Sequence, residues 1–470
     1  MNIFLNDKIF EIVAGVANHE NVEAYVIGGY VRDYIMGREH PDKDIDIVVI
    51  GDGVAVARAV ARAINPAIGV TVYKTFGTAM FRFKNYDIEF VGARKESYQR
   101  HSRNPEVKPG TLEDDQNRRD FTINALAISL NKSDYGELLD PFGGLEDIEK
   151  KILRTPLDPD TTFSDDPLRM MRAIRFAAQL GFTIDENTKS SIRRNAERIT
   201  IVSAERVTVE LNKIISTERP SEGFLLLDET GLIGYIFPEL EALKGVEDKD
   251  GKGHKDNFHH TLKVLDNTAS KTDNLWLRWT ALLHDIAKPA TKKFIQGSGW
   301  TFHGHEFIGA RMVPDIFARL KLPLNEKMKY VQKLVGLHLR PIALVQDEVT
   351  DSAIRRLLFE AGDDIDDLML LCEADITSGN RMKVRKHLDN FNLVRRKLKE
   401  IEEKDAVRTF QPPIHGDEII SAFGIPPGPM VGSIKTAIKE AILDGIIPND
   451  RDAAWEFMVS KGIEMGLKLQ

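Results

Sequence analysis

The position of strand-like segments limits the possible folds of this chain more than any other feature of its sequence. Short β-like runs (IDIVVI, VTVYKT, AMFRFK and DIEFVGAR) and one helical stretch (GVAVARAVARAI) lie within the first ~140 of 470 residues. After about Leu145 the apolar residues follow a helical period, as in DDPLRMMRAIRFAAQLG, TKSSIRRNAERI and AERVTVELNKII, with Gly181 as a candidate C-cap. The pattern predicts an α+β fold, in which a small head with a mixed sheet precedes an elongated all-α neck, body and tail.

The length of the chain calls for more than one hydrophobic core, so several domains are expected. Breaks in the pattern divide the chain into a head (residues 1–145), a helical neck (146–245), a third domain (255–380) and a C-terminal helical part (381–470). The polar, glycine-rich stretch from Gly245 to Asn257 is the predicted linker before the third domain.

The composition is that of a soluble protein from a reducing compartment. Apolar residues make up 42% of the chain and charged residues 29%. The single cysteine, Cys372, excludes a disulfide scaffold and a cysteine-only zinc site. No apolar run reaches the ~18 residues of a membrane span, so a cytoplasmic location without membrane contact is expected. The net charge of −8 argues against nonspecific coating of nucleic acid, but a local basic groove remains compatible with it.

Two aspartates stand at the start of the apolar run DIDIVVI. Residues two apart on a strand face the same side, so Asp44 and Asp46 project together while the isoleucines enter the core. Neighbouring carboxylates repel each other unless a cation lies between them, and Mg²⁺ prefers oxygen ligands. A third carboxylate is expected from a neighbouring strand, with Glu89 as first choice and Asp87, on the same face, as second. The alternative is a surface strand with solvated acids, which the apolar run does not favour.

A glycine pair upstream, in GGYVRD, is suited to a phosphate group. Without a Cβ, Gly28 and Gly29 let backbone N–H groups approach a phosphate, and Arg32 offers a guanidinium to it. Together with the aspartate pair, this arrangement predicts a two-metal nucleotide site.

The head and neck resemble a known family, the class II tRNA nucleotidyltransferases and poly(A) polymerases of the polymerase-β superfamily. The resemblance rests on six blocks in the same order: GGYVRDYIMG, DIDIVV, RRDFTINALAIS, DPFGGLEDIEKKILR, DDPLRMMRAIRFAAQLGF and SAERVTVELNKI. It implies two Mg²⁺ on the aspartate pair and transfer of a nucleoside monophosphate from a triphosphate to an RNA 3′-hydroxyl. It further implies template-independent addition of CCA to tRNA from CTP and ATP, with release of pyrophosphate.

The resemblance also assigns residues to the nucleotide. It implies ribose and triphosphate contacts by RRD, with an asparagine close by in a helix-like FTINALAI, and further arginines after DDPLR. An exposed basic surface is the alternative for these arginines. The expected nucleotide-binding residues in these blocks are Arg118, Arg119, Asp120, Asn124, Arg172 and Arg175.

The block DDPLR is the expected base-selecting element. On a helix, Asp166 and Arg169 would share a face. The carboxylate can accept from the exocyclic amino group of cytosine or adenine, and the guanidinium can donate to the neighbouring acceptor; uracil and guanine present the opposite order. In the family this block selects CTP and ATP. The family's usual Glu–Asp pair reads Asp165–Asp166 here, which leaves the role of Asp165 open, and a surface ion pair of Asp165 with Arg169 is the alternative.

The polar segment KESYQRHSRNPEVKPGTLEDDQN, with Arg100, His101 and Arg103, is predicted to be mobile. The resemblance implies a flexible loop here that helps to switch specificity from C to A. Its presence favours full CCA addition over addition of CC alone.

Histidines are concentrated in the third domain, where seven of the twelve lie between His254 and His338. Their order resembles that of the HD metal-dependent phosphohydrolase superfamily, with these ligands: His260, His284, Asp285, His305, His338 and Asp375. Imidazole and carboxylate together suit Mn, Ni, Co, Fe or Zn better than Mg. Such a site favours hydrolysis of a phosphate ester, assisted by Lys288. A retained scaffold without turnover is the alternative.

A basic stretch (residues 381–404, RMKVRKHLDNFNLVRRKLKEIEEK) is predicted either to follow the tRNA backbone or to be a solvated helix. Two other functions stay open for the whole chain. One is poly(A) synthesis by a member of the same family, and the other is an HD-type phosphohydrolase that uses the head only to bind RNA. The sequence does not predict an oligomeric state.

Overall fold

The structure is a computed structural model, and it describes residues 3, 5, 7–38, 44–73, 77–99, 102–246, 248–249, 252–253, 256–346, 350–377, 381–405 and 413–470.

The helices up to residue 241 are α1 Lys8–His19, α2 Gly29–Ile35, α3 Gly53–Ile64, α4 Leu112–Asn117, α5 Gly144–Lys150, α6 Pro159–Asp165, α7 Leu168–Leu180, α8 Glu186–Asn195, α9 Ala204–Ile215, α10 Pro220–Glu229, α11 Leu232–Ile236 and α12 Pro238–Glu241. Those that follow are α13 Asn257–Ala269, α14 Leu275–Leu283, α15 Lys288–Thr291, α16 His305–Arg319, α17 Glu326–Leu337, α18 Leu339–Gln346, α19 Asp351–Ala361, α20 Ile365–Ala374, α21 Arg381–Asp405, α22 Gly416–Phe423, α23 Pro429–Leu443 and α24 Arg451–Glu464. Short 3₁₀ helices span Thr122–Asn124, Ala196–Ile201 and Gly362–Asp364.

The strands are β1 Glu23–Ile27, β2 Asp44–Ile50, β3 Thr71–Tyr73, β4 Thr78–Phe83, β5 Tyr86–Gly92, β6 Arg94–Gln99, β7 Ser102–Pro109, β8 Ala127–Ser129, β9 Leu138–Leu139, β10 Ile152–Leu153, β11 Thr183–Ile184, β12 Asp248–Lys249, β13 Lys252–Gly253, β14 Lys293–Ile295 and β15 Gly299–Thr301.

The chain folds as two compact units. Unit 1 comprises residues 1–217 and 222–238, and unit 2 comprises residues 218–221 and 239–470. The finer division into four domains stays a prediction.

The core of unit 1 is a seven-stranded sheet in the order β3-β4-β5-β2-β1-β8-β9. Strands β2 and β5 run parallel and the other pairs antiparallel, which confirms the predicted mixed sheet. Helix α3 covers one face through Val56, Ala57, Val60 and Ala61. Its first turn is capped by the Asp52 carboxylate, which accepts from two backbone N–H groups at 2.9 and 3.0 Å. The parallel β2–β5 pair is therefore held at the centre of a packed sheet.

Two elements of the sheet differ from the sequence prediction. Strand β1, with sequence EAYVI, was not predicted; its last four residues are all buried, so it lacks the alternation of a half-exposed strand. The prediction that FTINALAI is helix-like is wrong, because its first part is a 3₁₀ turn and Ala127–Ser129 form β8. Since β8 has only three residues and pairs with β1, it depends on a partner about a hundred residues away in the chain.

The segment predicted as a mobile loop forms most of β6, then β7 and helix α4 in its described parts. Strands β6 and β7 form an antiparallel ladder. The side chain of Arg103 and the whole of Arg100 and His101 lie outside the described residues, so the predicted role of this segment in switching specificity stays a prediction.

The helices after the sheet follow the predicted periodicity. Helix α7 ends at Gly181, whose backbone is left-handed (φ 68°, ψ 37°), as predicted for a C-cap. Helices α8 and α9 occupy the predicted segments, and Ile174 of α7 and Leu211 of α9 are fully buried.

Unit 2 is largely helical, as predicted, with Trp279 and Phe317 at its core (ring centroids 6.2 Å apart). It also contains the hairpin β14–β15, whose turn includes Gly297 at φ 90°. The predicted linker contains the short antiparallel pair β12–β13. Across the described residues, no helix combines the length and apolar character needed to cross a membrane.

Candidate active sites

The acidic residues of unit 1 lie side by side on neighbouring strands. Asp44 and Asp46 alternate along β2 with fully buried isoleucines. The parallel register places Asp46 beside Glu89 and Asp44 beside Asp87. Burial and the charge of Asp46 raise the pKa of Glu89, since two carboxylates at close range disfavour each other's ionised form. A divalent cation bound by Asp44, Asp46 and Glu89 would relieve this repulsion, so the oxygen-only donor set fits a hard metal ion.

Gly28 is required where the glycine pair approaches the acidic residues. Its backbone has φ 85°, and a Cβ there would lie 3.0 Å from Oδ2 of Asp46 and 3.3 Å from Nη1 of Arg119. Gly29 begins α2 directly after it. A side chain at position 28 would therefore suffer backbone strain and would crowd the carboxylate.

Arg119 is held near the acidic residues by a carboxylate that the sequence prediction missed. Asp115 is completely buried and accepts from Nη2 of Arg119 at 3.0 Å and from Arg118. Nη1 of Arg119 then lies 3.6 Å from Oδ2 of Asp46. The sequence offered a signal for these pairs, because Arg118 and Arg119 follow Asp115 by three and four residues at the C-terminal end of helix α4.

Asp120 and Asn124 form a buried polar network behind the site. Asp120 accepts from Nδ2 of Asn124 at 3.0 Å and from Nε of Arg172 at 2.7 Å. The amide oxygen of Asn124 accepts from Nη1 of Arg32 at 2.8 Å, and Arg32 also donates from Nε and Nη2 to the Asp33 carboxylate. Burial alone would raise the pKa of Asp120, but Arg172 and the Asn124 amide outweigh it and lower the pKa to about 2. Asp120 is therefore a fixed anion that orients Asn124 and Arg172.

The block predicted to select the base is not a continuous helix, so the prediction that Asp166 and Arg169 share a helix face is wrong. Asp166 has an extended backbone (φ −135°, ψ 100°) between α6 and α7. The cause is Pro167, because a residue before proline is disfavoured in the helical region. Both residues nevertheless line the same cleft. Oδ1 of Asp166 accepts from the Leu168 N–H at 3.2 Å, and Oδ2 pairs with Nη2 of Arg206 at 3.1 Å.

Arg169 is oriented by main-chain carbonyls. It donates from Nη2 to the carbonyl of Arg118 at 2.6 Å and from Nη1 to that of Thr162 at 3.5 Å. Arg206, in the block SAERVTVEL, is a further residue that the sequence prediction did not assign. The structure therefore places two arginines beside Asp166.

Phe176 serves as a common platform for three guanidinium groups. The ring centroid lies 3.8 Å from Cζ of Arg175, 4.9 Å from that of Arg32 and 5.3 Å from that of Arg172. Arg175 also pairs with Glu210 at 2.6 Å, and both are buried. These contacts contradict the alternative of exposed surface arginines for Arg175.

Most of these groups line one cleft of about 430 Å³. Of the predicted residues, its lining includes Gly28, Gly29, Arg32, Asp44, Asp46, Arg118, Arg119, Asp120, Asn124, Asp166, Arg169, Arg172 and Arg175. Glu89 lies beside the cleft next to Asp46, and Asp165 ends helix α6 outside the lining. Cationic residues beyond those predicted also line it, namely Arg38, Arg206 and Lys213. The cleft thus combines carboxylates, which can bind cations, with cationic side chains, which can bind an anion.

Unit 2 holds a second cluster, built from residues far apart in sequence. Two overlapping groups of three share Asp285: one with His260 and His284, the other with His305 and His338. Nε2 of His260 lies 2.9 Å from Oδ1 of Asp375 and 3.4 Å from Oδ2 of Asp285. All six predicted ligands therefore converge on one place.

Three of the four histidines of the cluster are oriented by the same kind of contact. Nδ1 of His284, His305 and His338 lies 2.7–2.8 Å from the carbonyl oxygen three residues earlier. A carbonyl can only accept, so Nδ1 carries a hydrogen, and in the neutral imidazole Nε2 directs its lone pair into the cluster. Nδ1 of His260 contacts Oγ1 of Thr377 at 2.9 Å. Such outer partners are typical of metal-bound histidines.

Two contacts inside the cluster favour a bound cation. Nε2 of His305 and Nε2 of His338 are 3.3 Å apart, and both carry lone pairs. Nε2 of His284 lies 3.2 Å from Oδ2 of Asp285 without a hydrogen bond aligned between them. Burial, with the nearby His284, lowers the pKa of His338 to about 4, which keeps its imidazole neutral for ligation. Lys288 lies 2.5 Å from the same carboxylate oxygen, Oδ2 of Asp285.

Comparison with known proteins gives three family matches. The poly(A) polymerase head domain matches residues 24–154, the probable RNA- and SrmB-binding site of polymerase A matches residues 181–244, and the HD domain matches residues 257–379.

Two curated relatives match nearly the whole chain, and a third matches part of it. The A-adding tRNA nucleotidyltransferase of Deinococcus radiodurans is 31% identical over 441 residues, which are 92% of this chain and 94% of that one. The CCA-adding enzyme of a Geobacillus species is 29% identical over 462 residues, 98% of each chain. The A-adding tRNA nucleotidyltransferase of Aquifex aeolicus is 40% identical over 367 residues, but these are 70% of this chain and only 42% of that protein.

Solved structures share the fold. The CCA-adding enzyme of Bacillus stearothermophilus in complex with CTP has a TM-score of 0.69 at 23% identity and covers 98% of this chain and 99% of that chain. The CCA-adding enzyme of Thermotoga maritima, complexed with tRNA, has a TM-score of 0.59 at 21% identity, with 96% and 95% covered. These similarities confirm the α+β head and the helical body.

Proposed function

The chain belongs to the family of tRNA nucleotidyltransferases and poly(A) polymerases, and we propose that it adds C, C and A to tRNA 3′ ends from CTP and ATP, with release of pyrophosphate. One observation carries the proposal: the acidic residues Asp44 and Asp46 and the base-selecting residues Asp166 and Arg169 line a single cleft. These substrates would place the enzyme in the cytoplasm, as the sequence predicts.

The proposed role of the acidic site is to hold two Mg²⁺ through Asp44, Asp46 and Glu89. Magnesium at this position would activate the RNA 3′-oxygen and neutralise the triphosphate. Gly28 keeps the approach to Asp46 open, and Arg119, oriented by Asp115, supplies a positive charge beside it. The 3′-oxygen attacks the α-phosphorus, and the bond to pyrophosphate breaks.

Base selection is proposed to rest on Asp166 and Arg169. The Asp166 carboxylate accepts from the amino group of cytosine or adenine, while Arg169 donates to the adjacent ring nitrogen. Because Asp166 is tied to a backbone N–H and to Arg206, it presents an acceptor in a fixed direction. Uracil and guanine would place a carbonyl oxygen against that carboxylate, which repels them.

A second candidate is addition of the terminal A alone, and the names of two relatives favour it. The proteins of D. radiodurans and A. aeolicus, 31% and 40% identical to this chain, are A-adding enzymes. Poly(A) synthesis remains the alternative within the same family.

Extension of defined RNA ends tests these proposals. The full chain is incubated with Mg²⁺, single or combined triphosphates, and tRNA that lacks CCA or ends in CC. Addition of C, C and A followed by a stop supports CCA addition, whereas extension of only the CC-ending tRNA by one A identifies an A-adding enzyme. A long A tail identifies poly(A) synthesis. Failure to extend any RNA contradicts all three and leaves a phosphohydrolase that uses its head only to bind RNA.

For unit 2 we propose metal-dependent hydrolysis of a phosphate ester. The mixed imidazole and carboxylate donors favour Mn, Ni, Co, Fe or Zn, and such an ion would supply a hydroxide at neutral pH. The six proposed ligands form the cluster that would hold the ion. Lys288 lies next to Asp285, where it can bind a phosphate oxygen. Removal of a phosphate from a damaged RNA end would supply the 3′-hydroxyl that the head extends. Release of phosphate from a generic ester, screened with each metal, tests this activity.

A further inference from the structure

A cavity of about 610 Å³ lies in unit 2 where helices α14, α17 and α20 begin. Helix α14 contributes Trp276 and the N-cap residue Asn274, and the 3₁₀ helix before α20 contributes Asp364. The rest of the lining comes from the first two turns of α17. The volume is within the range of small-ligand sites. We refer to this space as the α17 cavity.

The flat wall of the α17 cavity is the indole of Trp276. Its ring packs on Phe317, with ring centroids 6.1 Å apart, but it is only half-buried, whereas Trp279 on the same helix is fully buried. Nζ of the exposed Lys327 lies 5.1 Å from the centroid of the Trp276 ring. The indole therefore offers part of its surface to the cavity, with a mobile ammonium group above it.

Helix α17 turns a polar face towards the cavity. Glu326, Lys329, Tyr330 and Lys333 are spaced by three or four residues and share this face, next to the face that carries the buried residues of the helix. Lys329 pairs with Glu326 at 2.8 Å, and Lys333 pairs with Asp364. Because partly exposed pairs of this kind contribute little stability, the ammonium groups can turn to another anion at small cost.

One carboxylate behind the cavity connects the three helices. Oδ2 of Asp367, on α20, accepts from the hydroxyl of Tyr330 at 2.7 Å and from Nδ2 of Asn274 at 3.4 Å. Tyr330 and Asn274 also line the cavity. A ligand that contacts these two side chains would therefore act on α14, α17 and α20 together.

The same three helices end at the histidine–aspartate cluster. Helix α14 is followed by His284 and Asp285, α17 by His338 and α20 by Asp375. At 1.5 Å per residue, helices of this length place about 15 Å between the cavity and the cluster. Helices transmit small movements as rigid elements, so a change at their first turns reaches four of the six proposed metal ligands.

We propose that the α17 cavity is an effector site for a nucleoside phosphate, remote from the unit 2 cluster and coupled to it through α14, α17 and α20. The base would cover the indole of Trp276, the phosphate would take the ammonium groups of Lys327 and Lys329, and Asn274 would bind the polar edge of the nucleoside. The effector role rests on the proposed hydrolase, whereas binding in the cavity does not.

The composition of the cavity separates this ligand class from simpler ones. An inorganic anion would engage the lysines but leave the indole uncovered. An uncharged aromatic molecule would cover the indole but leave ammonium groups and carboxylates without a partner as it displaced their water. A nucleoside phosphate joins an aromatic face, an edge of donors and acceptors and an anion in one molecule.

Binding is tested by equilibrium dialysis of labelled guanosine 5′-monophosphate against the full chain in EDTA, with inorganic phosphate as competitor. Guanine is chosen because the proposed base selection of unit 1 excludes it. The variants are Trp276→Leu and Lys327→Met, of which the second keeps the aliphatic stem of an exposed residue and removes only its charge. Trp455→Leu, at a partly exposed tryptophan on α24, is the matched control.

We expect Trp276→Leu to weaken binding about tenfold, as expected when a base loses its stacking ring. Lys327→Met should weaken it severalfold, and Trp455→Leu should leave it unchanged. An equal concentration of inorganic phosphate should displace little of the nucleotide. Absence of binding by the unaltered chain, equal binding by the unaltered chain and both cavity variants, or full displacement by inorganic phosphate would overturn the proposed site.

The effector role is tested by release of nitrophenol from p-nitrophenyl phosphate, in the metal that gives the highest rate, with and without guanosine 5′-monophosphate. We expect the nucleotide to change the rate at least twofold in the unaltered chain and in Trp455→Leu, but not in Trp276→Leu. The same response in Trp276→Leu would show competition at the cluster and overturn the effector role. Should the unaltered chain release no nitrophenol, the hydrolase proposal and the effector role fail together, and dialysis alone decides whether the cavity binds the nucleotide.

Discussion

The two sites of this chain hold their charged groups in opposite ways. In unit 1 the acidic residues come from adjoining strands, stand partly exposed and face a wall of arginines. In unit 2 the six predicted ligands come from helices or helix ends between His260 and Asp375, and four of them are almost completely buried. One site is thus built by local strand geometry, and the other by long-range packing.

This difference accounts for the metals proposed for each site. A partly exposed set of carboxylates suits a hydrated, oxygen-bound ion such as Mg²⁺. Buried imidazoles whose Nε2 atoms face the cluster suit a transition metal that gives up its water. The same difference predicts that the sites respond separately to substitution.

The largest effect is expected from Asp285→Asn, because Asp285 belongs to both ligand groups of unit 2. The substitution keeps the shape of the side chain but removes its charge, so metal-dependent phosphate release should fall to the level without enzyme. Addition of nucleotides to tRNA by the same preparation should stay at the normal rate.

His259→Ala is the matched control, since His259 is the exposed neighbour of His260 on α13. It should hydrolyse normally. Loss of both activities in Asp285→Asn would show that the two sites are not independent.

A smaller effect is expected at the residues of unit 1 that are proposed to select the base. Asp166→Asn keeps the volume but adds an N–H donor, so uracil and guanine are no longer repelled. Discrimination between CTP or ATP and UTP or GTP should fall about 10²-fold, measured as ratios of kcat/KM. Asp160→Asn, on the preceding helix and paired with Arg194, should keep the discrimination. Unchanged selectivity in Asp166→Asn would remove this residue from base recognition.

The smallest effect concerns stability. The pKa of Asp120 is lowered to about 2 in the folded chain, so its ionised form stabilises unit 1 above the unfolded pKa, and this contribution is lost as the pH falls towards 2. Asp120→Asn should therefore lower the free energy of unfolding of unit 1 by about 2 kcal/mol near pH 6. The difference from the unaltered chain should shrink between about pH 4 and pH 2. Denaturation at several pH values measures it, and a difference independent of pH would contradict the charged role.

The elements predicted correctly carry their signal within a few residues. Strand β2, helix α3 and the C-cap at Gly181 follow from alternation, helical period and a single glycine. Strand β1 was missed and β8 was misassigned because β1 forms by pairing with β2 and β8, and β8 by pairing with β1 and β9, which no local pattern encodes. The helix predicted through Asp166 ignored Pro167, although that proline was a readable signal.

The residue types of the candidate sites were easier to predict than their geometry. The aspartate pair and the six unit 2 ligands were identified from sequence, and the structure brings each set together. Asp115 was not assigned, although its partners Arg118 and Arg119 follow it by only three and four residues. Arg206 was not assigned because its partner, Asp166, is set by tertiary packing, so its role emerges only once the helices are placed.

The most direct test of the central claim is tRNA extension by the double variant Asp44→Asn, Asp46→Asn. Asp52→Asn is the control, because it removes a charge next to the same strand while keeping a good helix cap. We predict that the double variant adds no nucleotide in Mg²⁺ but still releases phosphate through unit 2. The Asp52→Asn variant should extend tRNA normally. Extension by the double variant at the normal rate would contradict a carboxylate-held metal site in unit 1.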